Sequence, residues 1–166
     1  SQEGGLLAPG SRHMLHNSLR LRDLTARFIM TPRTQIVAAP ATSSVSDLLT
    51  LCSQTGFSRI PIYRKYIGRI IGFVHIKDLL RTSTHGQDTI SDILRTATFI
   101  RDTMPVADIW EMLAAQRQYI ALVRDEHGST AGLITYEDLI EQIFGELQDE
   151  FDTETGNAAK SAVALT

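Results

Sequence analysis

GFVHIKDLL (residues 72–80) returns 60 positions later as GLITYEDLI (132–140), and the two copies set the frame for the whole chain. In each, a glycine opens an apolar run of strand character. A polar residue, His75 or Thr135, then leads into a helical pattern that carries Asp78 or Asp138. A second match lies upstream. Val45, Asp47, Leu48 and Cys52 of SSVSDLLTLC reappear as Val106, Asp108, Ile109 and Leu113 of TMPVADIWEML, 61 positions on. One residue is lost between the two matches. The chain therefore holds two copies of one unit, over 30–82 and 93–147.

Each copy has the same internal order. A short apolar segment (Ile36 to Ala39; Thr98 to Ile100) precedes a cap rich in Ser, Thr and Asp, then an amphipathic helix with apolar residues at i, i+3, i+4 and i+7. Gly56 closes the first of these helices. An apolar strand follows, RIPIY or YIALV, then a polar turn and a second strand, RIIGFVHI or TAGLITY. The second helix begins at KDLL or YEDLI. The unit is β-α-β-β-α, in the α+β class. Strands this uniformly apolar are expected where one sheet face carries helices and the other meets its twin. Neither copy can bury both faces alone, so a pseudo-twofold pair sharing one core is expected.

Around the pair, 1–16 reads as a disordered or tag-like leader in which GSRHM resembles a vector scar. Residues 17–29 read as a leading helix, 83–92 as a linker, and 148–166 as an acidic then low-complexity tail expected to be disordered. The 166 residues, 43% hydrophobic and 21% charged, describe an ordinary soluble protein. A net charge of -3 gives no overall basic field for nucleic acid or anionic lipid, and the apolar runs are too short to insert in a membrane. Arg12, Arg20, Arg22, Arg27 and Arg33 crowd the N-terminal part, while acids from Glu137 to Glu154 follow one another without Lys or Arg. The acidic run after Asp149 admits a divalent-cation sensor only if the tail folds back to bring several oxygens together.

Catalytic residues are not expected. The sequence offers no nucleophile with a base, no Gly-rich phosphate loop, and no His/Cys/carboxylate cluster at metal-ligand spacing. Cys52 reads as a small core residue in a reducing compartment, and His127, in the turn DEHG, as a surface residue. The stripes Leu139, Ile140, Ile143, Phe144, Leu147 and Ile109, Trp110, Leu113 read as a dimer seam.

Thr135 and Asp138 admit two readings. In one, Thr135 is a helix N-cap and Asp138 a first-turn acid. In the other, the strand delivers a helix N-terminus to a crevice between the copies, where free N–H groups suit a phosphate and a carboxylate suits ribose hydroxyls.

Taken with the duplication, GFSRIPIY (56–63), HIKDLL (75–80), DEHGSTAGLITYEDLIEQIFGELQDEFD (125–152) and LRLRDLTARFIMTPRTQIVAAP (19–40) resemble the tandem CBS domain pair, or Bateman module, of the CorC/HlyC group. These are the magnesium and cobalt efflux or haemolysin-like proteins. The resemblance covers about residues 30–147. It implies a regulatory homodimer that binds AMP or ATP between its repeats, with Mg²⁺ carried on the phosphates, at the cytoplasmic face beside a membrane transport domain or a further C-terminal domain. A non-binding dimerisation scaffold of the same family is the alternative. Matched position by position, the resemblance makes Asp138 the ribose ligand and Thr135 a phosphate or ribose contact. Asp78 and His75 are their first-copy equivalents, His75 departing from the general family's Thr. Lys77 is either a phosphate contact or a solvated lysine. Phe57, Ser58, Arg59 and Pro61 match the phosphate and adenine wall in copy one, with Arg59 nearest the phosphates. Tyr119, Ile120 and Ala121 match it in copy two. Ile36, Val37 and Ile100 are placed where backbone meets the adenine edge.

Overall fold

The expected strands form except over Ile36 to Ala39, where only Ala39–Pro40 is strand and Ile36 to Ala38 is irregular, and the pairing between strands shows how the copies lock together. The structure is a computed structural model and describes residues 23–85 and 89–155. In chain order it contains α1 (Ala26–Ile29), β1 (Thr31–Pro32), a 3-10 turn (Arg33–Gln35), β2 (Ala39–Pro40), α2 (Val45–Thr55), β3 (Arg59–Tyr63), β4 (Ile70–His75) and α3 (Ile76–His85). There follow α4 (Ile90–Ile93), β5 (Thr98–Arg101), α5 (Val106–Gln116), β6 (Ile120–Arg124), β7 (Thr130–Thr135) and α6 (Tyr136–Thr155). One sheet runs β2-β3-β4 and the other β1-β7-β6-β5. In each copy the first strand pairs parallel to the second, and the second antiparallel to the third.

β1 lies in the second copy's sheet although it stands at the start of the first copy. Thr31 faces Leu133 and Pro32 faces Gly132. The reciprocal contact is a single bridge from Phe73 of β4 to Arg95, just before β5. Each sheet is thus edged by the segment that leads into the other copy. Between the sheets, Ile70 and Phe73 pack with Ala97, Ile120, Leu122 and Leu133 as the shared core. The helices cover the outer faces, over Leu48, Cys52, Ile60 and Leu79 in one copy and Ile109, Trp110, Leu113, Leu139 and Ile143 in the other. Burial pushes the Cys52 thiol pKa up, in keeping with an inert core cysteine.

Helix starts explain local detail. Ser44 caps α2, its Oγ accepting from the Asp47 N–H at 3.0 Å while an Asp47 carboxylate oxygen accepts from the Ser44 N–H at 3.4 Å. Ser44→Ala is expected to cost about 1 kcal/mol in urea unfolding. α5 is preceded by Pro105, which makes no side-chain cap. There the Leu24 carbonyl accepts from the Val106 N–H at 2.9 Å, and Thr25 bridges to Pro105. That docking interrupts the helix expected over 17–29: among the described residues Asp23 is helical, Leu24 and Thr25 are not, and helix resumes at Ala26–Ile29. At the other end α6 runs through Thr155 rather than stopping at 147, so residues 148–155 are helical; 156–166, like the leader 1–16, the first part (17–22) of the expected leading helix and the linker centre 86–88, lie outside the described residues. The dimer-seam reading is corrected for Trp110, Ile109, Leu113, Leu139 and Ile143, all buried in the second copy's own core, whereas Phe144 is exposed.

Candidate functional site

A cleft of about 460 Å³ opens between the copies, where the start of β3 faces the β7–α6 junction. Ten residues singled out from sequence converge on it: Ile36, Val37, Phe57, Ser58, Arg59, Pro61, Tyr119, Ile120, Thr135 and Asp138. Thr31, Gln35, Gly56, Leu133 and Glu137, which the sequence reading did not place, join them.

The cleft divides into chemically distinct walls. Thr135 is the residue before α6, and its Oγ1 accepts from the Asp138 N–H at 3.1 Å. The capping reading therefore holds, and it leaves the hydroxyl hydrogen free to donate. Asp138 is exposed, and its carboxylate has no salt bridge among the described residues. Arg59 rises from the first residue of β3 and lays its guanidinium 4.5 Å from the centre of the Tyr119 ring, a cation–π contact that a stronger anionic partner can displace. Tyr119 in turn meets the edge of Tyr136 at 6.2 Å. Ile36, Val37, Pro61, Ile120 and Leu133 supply an apolar wall. Backbone geometry joins the walls in the same way in both copies: the Tyr136 N–H donates to the Tyr119 carbonyl and the Ile76 N–H to the Ser58 carbonyl, each at 2.8 Å.

Five expected residues do not line this cleft. Ile100 and Ala121 are buried in the second copy's core, because along a strand neighbouring side chains point to opposite faces. His75, Lys77 and Asp78 sit at the β4–α3 junction instead. Lys77 is exposed there, and its N–H donates to Nδ1 of His75 at 3.1 Å. Asp78 is only 8% exposed and bonds Nε of Arg95 at 2.7 Å.

A CBS-domain family profile matches twice, over residues 22–85 and 89–145. The chain is a tandem CBS-domain pair. It is 35% identical to the solved CBS domain of a bacterial CNNM/CorC family Mg²⁺ transporter in complex with ATP, with a TM-score of 0.72, covering 82% of this chain and 99% of that one. The CBS pair is also 35% identical over 143 residues to a possible hemolysin C of Rickettsia akari, matching 85% of this chain and 48% of the relative. With a UPF0053 protein of Mycobacterium bovis it shares 34% over 157 residues, 92% of this chain and 36% of that one. The CBS pair thus belongs to the CNNM/CorC and hemolysin C group and spans between a third and a half of these curated relatives. Among its described residues no helix is long and apolar enough to cross a membrane, and no group of three or more His, Cys, Asp or Glu could hold a metal ion.

The two junctions of the CBS pair differ in electrostatics. Arg95, hydrogen-bonded to Asp78, holds that carboxyl below the usual carboxylate range, with Arg81 at 3.4 Å on the other oxygen. Burial, then the charges of Arg59, Arg95 and Lys77, lowers the pKa of His75 from its ordinary 6.5. The unfolded chain therefore takes up the His75 proton before the folded one does. The resulting stability is full above the unfolded-state pKa and is lost as pH falls toward the folded value. Urea midpoints are expected to drop as pH falls below the ordinary imidazole value of 6.5, and His75→Gln to flatten that decline.

Proposed function

We propose that this CBS pair is a regulatory module that binds an adenosine nucleotide, AMP or ATP, in the cleft beside Asp138. The observation that carries the reading is the convergence of the exposed Asp138 carboxylate, the Arg59 guanidinium, the Ser58 and Thr135 hydroxyls and an apolar wall on one opening. A volume of about 460 Å³ is in the range of small-molecule sites. Asp138 accepts the ribose hydroxyls. Ser58, Thr135 and the N-terminus of α6 face the phosphates, and Arg59 turns from the Tyr119 ring to bond two phosphate oxygens at once. Ile36 and Val37 border the base. Glu137 adds a second carboxylate to the opening, which favours phosphates that arrive partly neutralised by Mg²⁺. ATP bound in the related Mg²⁺ transporter domain supports this reading. In the longer protein, the module acts as a homodimer at the cytoplasmic face, where nucleotide-dependent changes in dimer conformation control the attached transport machinery.

Isothermal titration calorimetry with AMP and with ATP, each with and without Mg²⁺, tests the proposal. Saturable binding near one nucleotide per chain is the expected result. Four flat traces overturn it and leave a dimerisation scaffold, whose assembly sedimentation would measure.

A further inference from the structure

We propose that Arg95 acts as an internal ligand that keeps the first repeat's aspartate site closed, so that the chain carries one open cleft and one latent one. This rests on the reading of the Asp138 cleft as a nucleotide site. Phe73 and Leu133 occupy the same place in the two repeats, and the residues paired with them are Arg95 and Thr31. Arg95 therefore stands at the Asp78 junction where Thr31 stands at the open cleft. The substitution replaces a neutral hydroxyl by a cation.

The consequence is visible in the two aspartates. Asp138 is exposed, whereas the Asp78 carboxylate accepts from Arg95 Nε at 2.7 Å on one oxygen and lies 3.4 Å from Arg81 on the other. A charge-assisted pair of this length competes directly with any hydroxyl donor of a ligand. The Arg95 main chain is fixed apart from its side chain. Its N–H donates to the Phe73 carbonyl at 2.8 Å and its carbonyl accepts from the Phe73 N–H at 3.1 Å. The side chain itself is 46% exposed, so truncating it opens no core cavity. Released from Arg95, Asp78 still ionises at neutral pH. His75, with Nδ1 accepting from the Lys77 N–H, keeps Nε2 as a donor in its neutral form, at the position equivalent to the Thr135 hydroxyl.

Calorimetric stoichiometry with AMP and with Mg²⁺·ATP tests the latch across five forms of the chain. At nucleotide concentrations that just saturate the wild type, it is expected to bind one nucleotide per chain, Asp138→Ala to leave its weakened cleft largely empty, Arg95→Ala to bind two, and the Arg95→Ala/Asp138→Ala double variant one. Adding Asp78→Ala to that double variant is expected to remove the remaining site. Thermal unfolding confirms that each form is folded, and Arg95→Gln, which keeps the aliphatic stem, replaces Arg95→Ala if the latter is not. If Arg95→Ala matches the one site of the wild type and the double variant binds nothing, the latch is overturned while the open-cleft reading stands. No binding by any form overturns both, and binding only after Arg95 is removed sustains the latch against the open-cleft reading.

Discussion

Asp138→Ala is expected to weaken AMP and ATP binding by about tenfold to about a hundredfold, the equivalent of about 1.5–3 kcal/mol for hydrogen bonds to a charged group. Stability should hardly change. Asp138 lies in the first turn of α6, where a carboxylate is favoured by about 0.3–1 kcal/mol through the helix dipole. The capping bond survives the substitution, because it runs from the Asp138 main-chain N–H to Thr135 Oγ1 at 3.1 Å. Thr135→Ala behaves differently. It removes the acceptor and is expected to cost about 1 kcal/mol of stability as well as affinity, while Thr135→Ser keeps both. Calorimetry beside urea denaturation separates the two residues. Unchanged affinity in Asp138→Ala would end the ribose assignment.

The fold was legible because its information is local and stated twice. The matched glycines, the His/Thr junctions and the Asp three residues later gave both hairpins and both junction helices before any contact was known. Residues of the open cleft that ride on those elements were legible for the same reason. What stayed hidden depends on partners distant in sequence. Thr31 and Gln35 reach the cleft only because β1 joins the other repeat's sheet, and two residues of extended chain carry no signal of their partner. By sequence Asp78 is the twin of Asp138, and nothing local announces Arg95, 17 residues away, as its partner. Ile120 and Ala121 were placed together, yet strand alternation sends Ile120 to the cleft and Ala121 to the core. Helical stripes are ambiguous in a related way. The period that put Trp110 at a surface seam is the same period that buries it, at 1% exposure, against its own repeat.

Gly132→Ala is expected to destabilise the chain by about 1–3 kcal/mol, the cost of overpacking a filled site, and to weaken nucleotide binding with it. A Cβ at this position would stand 2.5 Å from Sδ of Met30 and 2.6 Å from the Thr31 carbonyl oxygen. The methionine can swing away, but the carbonyl belongs to β1, which is paired with β7 in register. The added methyl therefore pushes β1 off the sheet edge, and Thr31, Gln35, Ile36 and Val37 of the cleft wall move with it. Gly72→Ala is the matched control from the other repeat. Its Cβ would meet the Arg95 carbonyl at 2.5 Å and the Leu94 side chain at 3.2 Å, so a similar loss of stability falls on the Arg95 segment and not on the open cleft. Gly145→Ala, with nothing within 4 Å in the middle of α6, should instead stabilise by about 0.5–1 kcal/mol through helix propensity. Urea midpoints are expected to fall for Gly132→Ala and Gly72→Ala alike, and calorimetry well below both midpoints to show reduced affinity for Gly132→Ala alone. Equal affinity in the two variants would mean that the β1 segment borders the cleft without contributing to binding, and the ligand would then be held by β3 and α6 alone.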